Sequence, residues 1–259
     1  MSIIALCSAT GAPGATTTAL ALGWAWPVAH PDRRALVVDA DVAGSGILPG
    51  YLQAGIPAGG GVLALAAERS AIDPHAVLEH AVALDVSAAR MVLTGVTDPA
   101  QARALGSVWS GLVRAARDLG QGGVDMIVDV GRLGHQHQPT VLLEQADLVV
   151  VVLRSSLPSV TGAASALRSL REMRGPGPRT TAVLVGEGQP YMAREIDRAL
   201  DLDRLVRLAD DQWAATILSI GGATGWRFER SVLLRSARLL ASDLAAGIEA
   251  VTPSRAVRS

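Results

Sequence analysis

Short, almost entirely apolar runs alternate along this chain with longer segments whose apolar residues have helical spacing. Apolar runs of this kind predict strands buried on both faces, which is the pattern of a parallel sheet. We therefore expect an α/β fold with a doubly wound, mostly parallel sheet flanked by helices, in which ligands bind at the carboxyl ends of the strands. The predicted strands are 3–8, 35–39, 91–94, 125–129, 148–153 and 181–185.

The helical segments and the loops between them are predicted to belong to one domain. With 259 residues, of which 49% are hydrophobic, the chain can bury a sizeable core. We assign 1–251 to a single domain and 252–259 to a flexible tail, and we interpret the Gly- and Pro-rich stretches 42–61 and 175–178 as loops. The predicted helices are 16–29, 99–119, 140–145, 158–173, 190–200 and 227–250.

The composition excludes several classes of function. The formal net charge is -1, so contact with nucleic acid or an anionic membrane must come from a local patch. The single cysteine, Cys7, excludes an internal disulfide and a metal site built from cysteines. We find no secretory signal and no apolar run of about 18 residues, so we expect a cytoplasmic protein without a transmembrane segment.

A glycine-rich stretch, TGAPGATTT at 10–18, follows the first predicted strand and opens the first predicted helix. Such a turn directs backbone N–H groups and the positive end of a helix at one place, which favours an anion. The Thr16 hydroxyl is suited to Mg²⁺. A plain glycine-rich turn without a ligand is the alternative. The residues predicted to bind a phosphate-bearing cofactor are Gly11, Ala12, Pro13, Gly14, Ala15, Thr16 and Thr17.

Three carboxylates lie where predicted strands end, at the edge of the sheet that carries the glycine loop. Asp39 and Asp41 follow the second predicted strand, and Asp129 ends the fourth. Carboxylates in this position suit a hydrated Mg²⁺ and an attacking water. Each alone could be a helix cap or a turn residue. Their joint placement favours a site in which Thr16, Asp39 and Asp129 hold the metal.

These residues resemble the motifs of the deviant P-loop ATPases of the ParA/MinD family, over most of the chain. In that family the loop reads lysine-glycine-glycine-x-glycine-lysine-threonine-threonine, and Thr10 and Ala15 stand here at its two lysine positions. Asp39 and Asp41 match the family's aspartate pair, and Asp129 matches its Walker B aspartate. The resemblance implies a P-loop NTPase fold and assigns to Asp41 the positioning of the attacking water.

The chain also departs from the family's pattern. Gly46 and Gly186 stand where the family often has asparagines, and all 23 basic residues are arginines, so no other lysine can replace the missing ones. Arg132, or a residue from a neighbouring subunit, is a candidate replacement. We predict a pseudo-ATPase or a very slow ATPase, in which binding of ATP and Mg²⁺ is weakened or absent.

The lysine-free loop, with proline between its glycines, resembles that of actinobacterial ParA-like proteins of the CpaE/TadZ group, which are associated with Tad pilus or secretion systems. This resemblance implies a positioning or assembly factor that acts through protein partners. Pairing of family members across the nucleotide implies a homodimer. A MinD-like membrane anchor is not expected, because 252–259 is too short and polar.

Two other functions remain open. An active ParA-type ATPase would bind DNA non-specifically through a basic patch on the last predicted helix, although a solvated helical face is the simpler interpretation. A scaffold or regulatory subunit would use no nucleotide at all. The residues of the candidate DNA or partner patch are Arg227, Arg230, Arg235 and Arg238.

Overall fold

A single sheet, parallel except at one edge, organises the computed structural model, which describes residues 3–11, 14–55, 60–68, 71–175, 179–188, 190–202 and 204–249. Within these residues eight strands pair in the order β3-β4-β2-β5-β1-β6-β7-β8, and only the β3 and β4 pair is antiparallel. The strands are β1 (Ile3–Ser8), β2 (Arg34–Asp39), β3 (Val82–Ala83), β4 (Arg90–Leu93), β5 (Val124–Arg132), β6 (Leu148–Arg154), β7 (Arg179–Val185) and β8 (Leu205–Leu208).

Helices cover both faces of the sheet, and the sheet separates two apolar cores. A π-helical turn at Ile47–Tyr51 and a 3₁₀ turn at Pro99–Ala104 complete the element order. The helices are α1 (Ala15–Ala29), α2 (Val62–Ala67), α3 (Pro74–Glu79), α4 (Gly106–Gln121), α5 (Thr140–Gln145), α6 (Leu157–Arg174), α7 (Ala193–Leu200), α8 (Gln212–Ile220), α9 (Trp226–Glu229) and α10 (Val232–Glu249).

The predicted fold class is confirmed, and all six predicted strands are present. Two strands were missed, since β3 is only two residues long and β8 carries an exposed arginine that interrupts its apolar pattern. The assignment of 1–251 to one domain stays a prediction, because 250–259 lies outside the described residues. In the described part of the chain, no helix is both long and apolar enough to cross a bilayer.

Two predicted helices are broken, and each break has a local cause. The segment 99–119 divides at Leu105 into the 3₁₀ turn, which begins at a capping box of Asp98 and Gln101, and α4. The segment 227–250 divides into α9 and α10, where the Ser231 hydroxyl accepts a hydrogen bond from the Leu234 N–H. The helix predicted at 190–200 begins later, at Ala193, where Glu195 bonds back to the Met192 N–H.

The predicted loop 42–61 was wrong in part, because it contains the turn Ile47–Tyr51. Ile47 and Tyr51 are buried against α1 and α8, which explains why the chain coils here. The contact with α8 is close: a Cβ added to Gly50 would lie 2.2 Å from the Ser219 carbonyl oxygen. The Gln53 side chain also donates to the Ile220 carbonyl oxygen at 3.1 Å.

Close packing of α1 on the sheet fixes the position of the glycine loop that precedes this helix. A Cβ added to Gly23 of α1 would lie 2.4 Å from the Val37 Cγ2 of β2. Valine is branched at Cβ and cannot swing its methyl group away at low cost. Glycine is therefore required at this crossing although it lowers helix propensity.

We expect Gly23→Ala to destabilise the protein by about 1–3 kcal/mol, because the added methyl group overpacks the contact with Val37. Urea unfolding followed by circular dichroism measures this change. Gly247→Ala is the matched control, since a Cβ there meets nothing within 4 Å and alanine should stabilise α10. The double variant Gly23→Ala, Val37→Ala should lose less stability than the sum of the two single variants; additive losses would refute the steric explanation.

Candidate nucleotide and magnesium site

The sheet brings the sequence-predicted carboxylates and the glycine loop to one edge. Strands β1, β5 and β2 are neighbours and run in parallel, so their carboxyl ends meet. Asp39 and Asp129 lie directly opposite each other in the β2 and β5 pair, and Leu6 of β1 lies opposite Asp129 on the other side. The glycine loop leaves β1 two residues after this position, beyond Ser8.

The glycine loop ends in a left-handed residue that begins α1. Gly14 precedes the helix and has φ 100°, a backbone conformation that residues with a side chain rarely adopt. Its carbonyl oxygen accepts from the N–H and the hydroxyl of Thr18. No side chain of the described residues caps this helix, so the N–H groups of its first turn are available to an anion. Ala12 and Pro13, which are predicted to bind the cofactor's phosphates, lie outside the described residues.

Neutral side chains fill both positions where the family resemblance expects lysine. The Ala15 methyl group is buried in the core on the α1 side of the sheet. Thr10 lies against α6, where a Cβ added to Gly162 would come within 2.9 Å of the Thr10 Cγ2. Neither position presents a positive charge to the loop.

Asp39 is buried, and protein donors occupy both of its carboxylate oxygens. Oδ2 accepts from the Ser45 hydroxyl at 2.5 Å and from the Gly95 N–H at 3.1 Å, and Oδ1 accepts from the Asp41 N–H at 3.3 Å. Burial and the nearby charge of Asp129 raise the pKa of Asp39 to about 7. Direct metal binding by Asp39 stays a prediction, and its hydrogen bonds favour a role in holding the loop that carries Asp41.

Asp129 is fully buried and retains an oxygen without a protein partner. Its Oδ1 accepts from the Gly131 N–H at 3.1 Å, whereas no group of the described residues donates to Oδ2 within hydrogen-bond distance and angle. Burial raises the pKa of Asp129 to about 6, the Asp41 charge adds to this, and the neighbouring Thr16 hydroxyl opposes it. A buried carboxylate oxygen in this state is a candidate to bind a water or a metal ion.

Asp41 lies at the rim of the same site, against a bulge in β5. The pairing of β1 with β5 shifts after Asp129, which produces a local bulge, and Gly131 there has φ 71°. A Cβ added to Gly131 would lie 2.2 Å from the Asp41 Cγ. Only glycine lets the carboxylate of Asp41 approach this closely, so Gly131, like Ser45 and Gly95, is a supporting residue that we did not single out from the sequence.

No arginine of the described chain compensates these carboxylates. The influences on the pKa of Asp39 and of Asp129 are burial, neighbouring carboxylates and hydrogen bonds, and no cationic side chain is among them. Arg132 lies at the end of β5, opposite Ser8, with its residue exposed to solvent. Its candidacy as a replacement for lysine stays a prediction.

The oxygen donors at this edge of the sheet fit a hydrated Mg²⁺ better than an ion enclosed by several carboxylates. In the described part of the chain, no three His, Cys, Asp or Glu side chains come together as a metal-binding group. The Asp129 Oδ2 and the Thr16 hydroxyl provide two neighbouring oxygen donors. Mg²⁺ usually keeps several waters and takes only one or two protein carboxylates.

A cavity of about 430 Å³ lies beyond the glycine loop, at the carboxyl ends of β6, β7 and β8. Val185 lines it and also contacts the loop, since a Cβ added to Gly14 would lie 4.0 Å from the Val185 Cγ2. The Arg154 guanidinium pairs with Asp210 at 2.6 Å at this cavity. Gly186 also lines it, at the position where the family often has an asparagine. The cavity is large enough for part of a nucleotide.

Solved structures that share this fold include MinD proteins and a ParA family ATPase. MinD, the septum site-determining protein of Pyrococcus horikoshii complexed with Mg-ADP, has a TM-score of 0.70 and 18% identity, covering 95% of this chain and 98% of that one. A ParA family ATPase of Chlorobium tepidum gives 0.69 and 15%, covering 93% and 98%. The MinC:MinD cell division complex of Aquifex aeolicus gives 0.69 and 15%, covering 93% and 95%.

The chain has the ParA/MinD type of P-loop NTPase fold. No protein-family model matches the sequence, and no curated protein matches it significantly. At these low identities the ParA/MinD likeness establishes the fold and leaves the chemistry to the residues described above.

The arginines of the candidate DNA patch do not form a uniform basic surface. Arg227 and Arg230 lie over the rings of Trp213 and Trp226. Arg238 is half-buried and donates to the Glu229 carbonyl oxygen at 2.7 Å. Arg235 is exposed on α10. DNA binding by this patch stays a prediction.

We expect Asp129→Asn to raise the melting temperature of the nucleotide-free protein at pH 8 by several degrees. The change removes a buried charge, and the amide oxygen can keep the Gly131 bond. The folded-state pKa of Asp129 is raised to about 6, so the wild type binds more protons when folded and gains stability as the pH falls from about 7 to 4.

The advantage of Asp129→Asn should therefore shrink as the pH falls through this range, as measured by differential scanning fluorimetry without Mg²⁺. Asp118→Asn, an exposed change on α4, is the control and should leave the pH profile unaltered. A variant that is less stable than the wild type at pH 8 would contradict the assignment of Asp129 as an uncompensated charge.

Proposed function

We propose that the protein is a member of the ParA/MinD superfamily that binds Mg-nucleotide weakly, hydrolyses ATP very slowly or not at all, and acts as a positioning or assembly factor. One observation carries this proposal. The magnesium side of the site keeps its donors, including the unpartnered Asp129 Oδ2, while the loop that would hold the phosphates has neutral Thr10 and Ala15.

Different groups of the chain would bind the phosphates and the Mg²⁺ ion. The free N–H groups at the start of α1 would accept phosphate oxygens, and Thr16 and Asp129 would hold Mg²⁺. The bound cation would supply the positive charge that offsets the triphosphate and the buried carboxylates. Asp41, which lies against Gly131, would orient a water at the rim of the site.

The absence of the lysine charge determines how strongly we expect the nucleotide to bind and how fast we expect ATP to be hydrolysed. A charge-assisted contact contributes about 1.5–3 kcal/mol, and cations on a transferring phosphoryl group accelerate its reaction by about 10³-fold or more. Two neutral residues at these positions leave binding dependent on backbone N–H groups and on Mg²⁺. Weak binding and very slow turnover follow from this difference.

The biological role is proposed from the fold and the loop. Structures of the same fold include MinD, a septum site-determining protein, and a MinC:MinD complex, which supports a role in positioning through protein contacts. We propose a cytoplasmic homodimer, and the proline-containing loop supports a place in a Tad-type pilus or secretion system. A nucleotide-free scaffold is the second candidate, favoured by the buried Ala15 methyl group.

A thermal-shift series with ATP, ADP and GTP, with and without Mg²⁺, tests nucleotide binding. We expect a small rise in melting temperature that requires Mg²⁺, since stabilisation grows with the ratio of ligand concentration to Kd. No shift with any nucleotide would favour the nucleotide-free scaffold. Tight binding of Mg-ATP by titration calorimetry, together with turnover that Asp41→Ala abolishes, would show a working ATPase and overturn the proposal.

Restoring the lysine provides a gain-of-function prediction. We expect Ala15→Lys to tighten Mg-ATP binding by about tenfold or more, because it adds one charge-assisted contact to the phosphates. Titration calorimetry measures the affinity, and phosphate release measures the accompanying rise in hydrolysis. Ala15→Met, which has similar length and no charge, should change neither; an equal effect of both variants would exclude the charge as the cause.

A further inference from the structure

Two tryptophans lie exposed on the face of the protein formed by α8, α9 and α10. Trp213 and Trp226 are 43% and 73% exposed, whereas Trp24, Trp26 and Trp109 are buried. The Arg227 Cζ lies 4.8 Å from the ring centre of Trp213, and the Arg230 Cζ lies 5.9 Å from that of Trp226. With Val232, which is 52% exposed, these residues form the tryptophan–arginine patch.

Hydrogen bonds and buried contacts hold the helices beneath this patch. The Asp211 Oδ1 accepts from the Ala214 N–H and caps α8, and its Oδ2 accepts from the Val232 N–H at the start of α10. Phe228 of α9 is fully buried and meets the Trp24 ring edge-on at 5.5 Å between centres. A surface held in this way binds a partner without a large loss of conformational freedom.

The patch has an excess of positive charge. No carboxylate of the described residues forms an ion pair with Arg227, Arg230 or the nearby Arg235. Asp211, whose carboxylate accepts from backbone N–H groups, and the exposed Glu229 are the neighbouring acids, so three arginines face two carboxylates. A guanidinium stacked on an indole keeps the donors at its edge free, and these suit a carboxylate.

We propose that the tryptophan–arginine patch is a docking surface for an acidic segment of a partner protein, one that places carboxylates on Arg227 and Arg230 and an apolar side chain between the two indoles. Tryptophan and arginine are the residues most enriched at energetically important positions of protein interfaces. The patch lies on helices apart from the glycine loop, so this docking does not depend on bound nucleotide.

A protein partner is favoured over nucleic acid by the number of available charges. Non-specific DNA binding uses about 6–10 phosphate contacts. The patch offers only three exposed arginines, because Arg238 is bonded to the Glu229 carbonyl oxygen, and the chain as a whole carries a net charge of -1.

Binding of a short fluorescein-labelled peptide in which glutamates alternate with leucines tests the proposal on the full chain without nucleotide. We expect fluorescence anisotropy to show saturable binding, and emission from the exposed tryptophans to change with the same midpoint. Arg227→Glu combined with Arg230→Glu should weaken binding by about tenfold or more. Trp226→Ala should weaken it as well, and the peptide with glutamine in place of glutamate should bind poorly.

Arg114→Glu combined with Arg117→Glu is the matched control, since both arginines are exposed on α4, on the opposite face of the sheet. This pair should leave peptide affinity unchanged, and circular dichroism confirms that each variant is folded. Equal binding by both double variants, or no binding by the wild type, would overturn the proposal. Tighter binding of single-stranded oligothymidylate than of the acidic peptide would assign the patch to nucleic acid. Loss of a dimer in the Arg227→Glu, Arg230→Glu variant would assign the patch to a second copy of this chain. Either result would refute an acidic protein partner.

Discussion

Two buried carboxylates that lie side by side, with no cation from the described chain beside them, set the conditions for everything at this edge of the sheet. The register of β2 with β5 places Asp39 opposite Asp129, and burial raises the pKa of both. Such a pair costs stability unless a proton or a metal ion compensates it. The protein accepts that cost at the place where a P-loop fold would bring Mg²⁺ and phosphate together.

The two carboxylates have different surroundings, and this difference divides their roles. Asp39 is saturated by Ser45, Gly95 and the Asp41 N–H, so its negative charge serves the loop that carries Asp41. Asp129 is left with an open oxygen beside Thr16. In a chain without lysine, attraction for a triphosphate must then come mainly from a bound cation and from backbone dipoles. Under the proposed function, this arrangement would recognise a metal-bound nucleotide better than it would catalyse hydrolysis.

Much of this arrangement could be read from the sequence, because it depends on local patterns. The apolar runs gave the central strands, and glycine and aspartate at strand ends marked the edge where ligands bind. The residues that hold Asp39 in place could not be predicted from the sequence, because Ser45 and Gly95 reach Asp39 only through tertiary packing. The helices α3 and α8 were not predicted, because they are too short for a strong periodic pattern. Their capping residues are nevertheless visible in the sequence: Asp73 followed by Pro74 for α3, and Asp211 for α8.

The contact of Gly50 with the Ser219 carbonyl oxygen has a consequence for movement within the protein. Backbone meets backbone there, and Gln53 bonds to the next carbonyl oxygen, so no flexible side chain can absorb a displacement. The contact lies at the carboxyl-terminal end of α8, and Trp213 lies at the other end of this helix. This junction thus holds the turn after Asp41 at a fixed distance from the helix that carries Trp213.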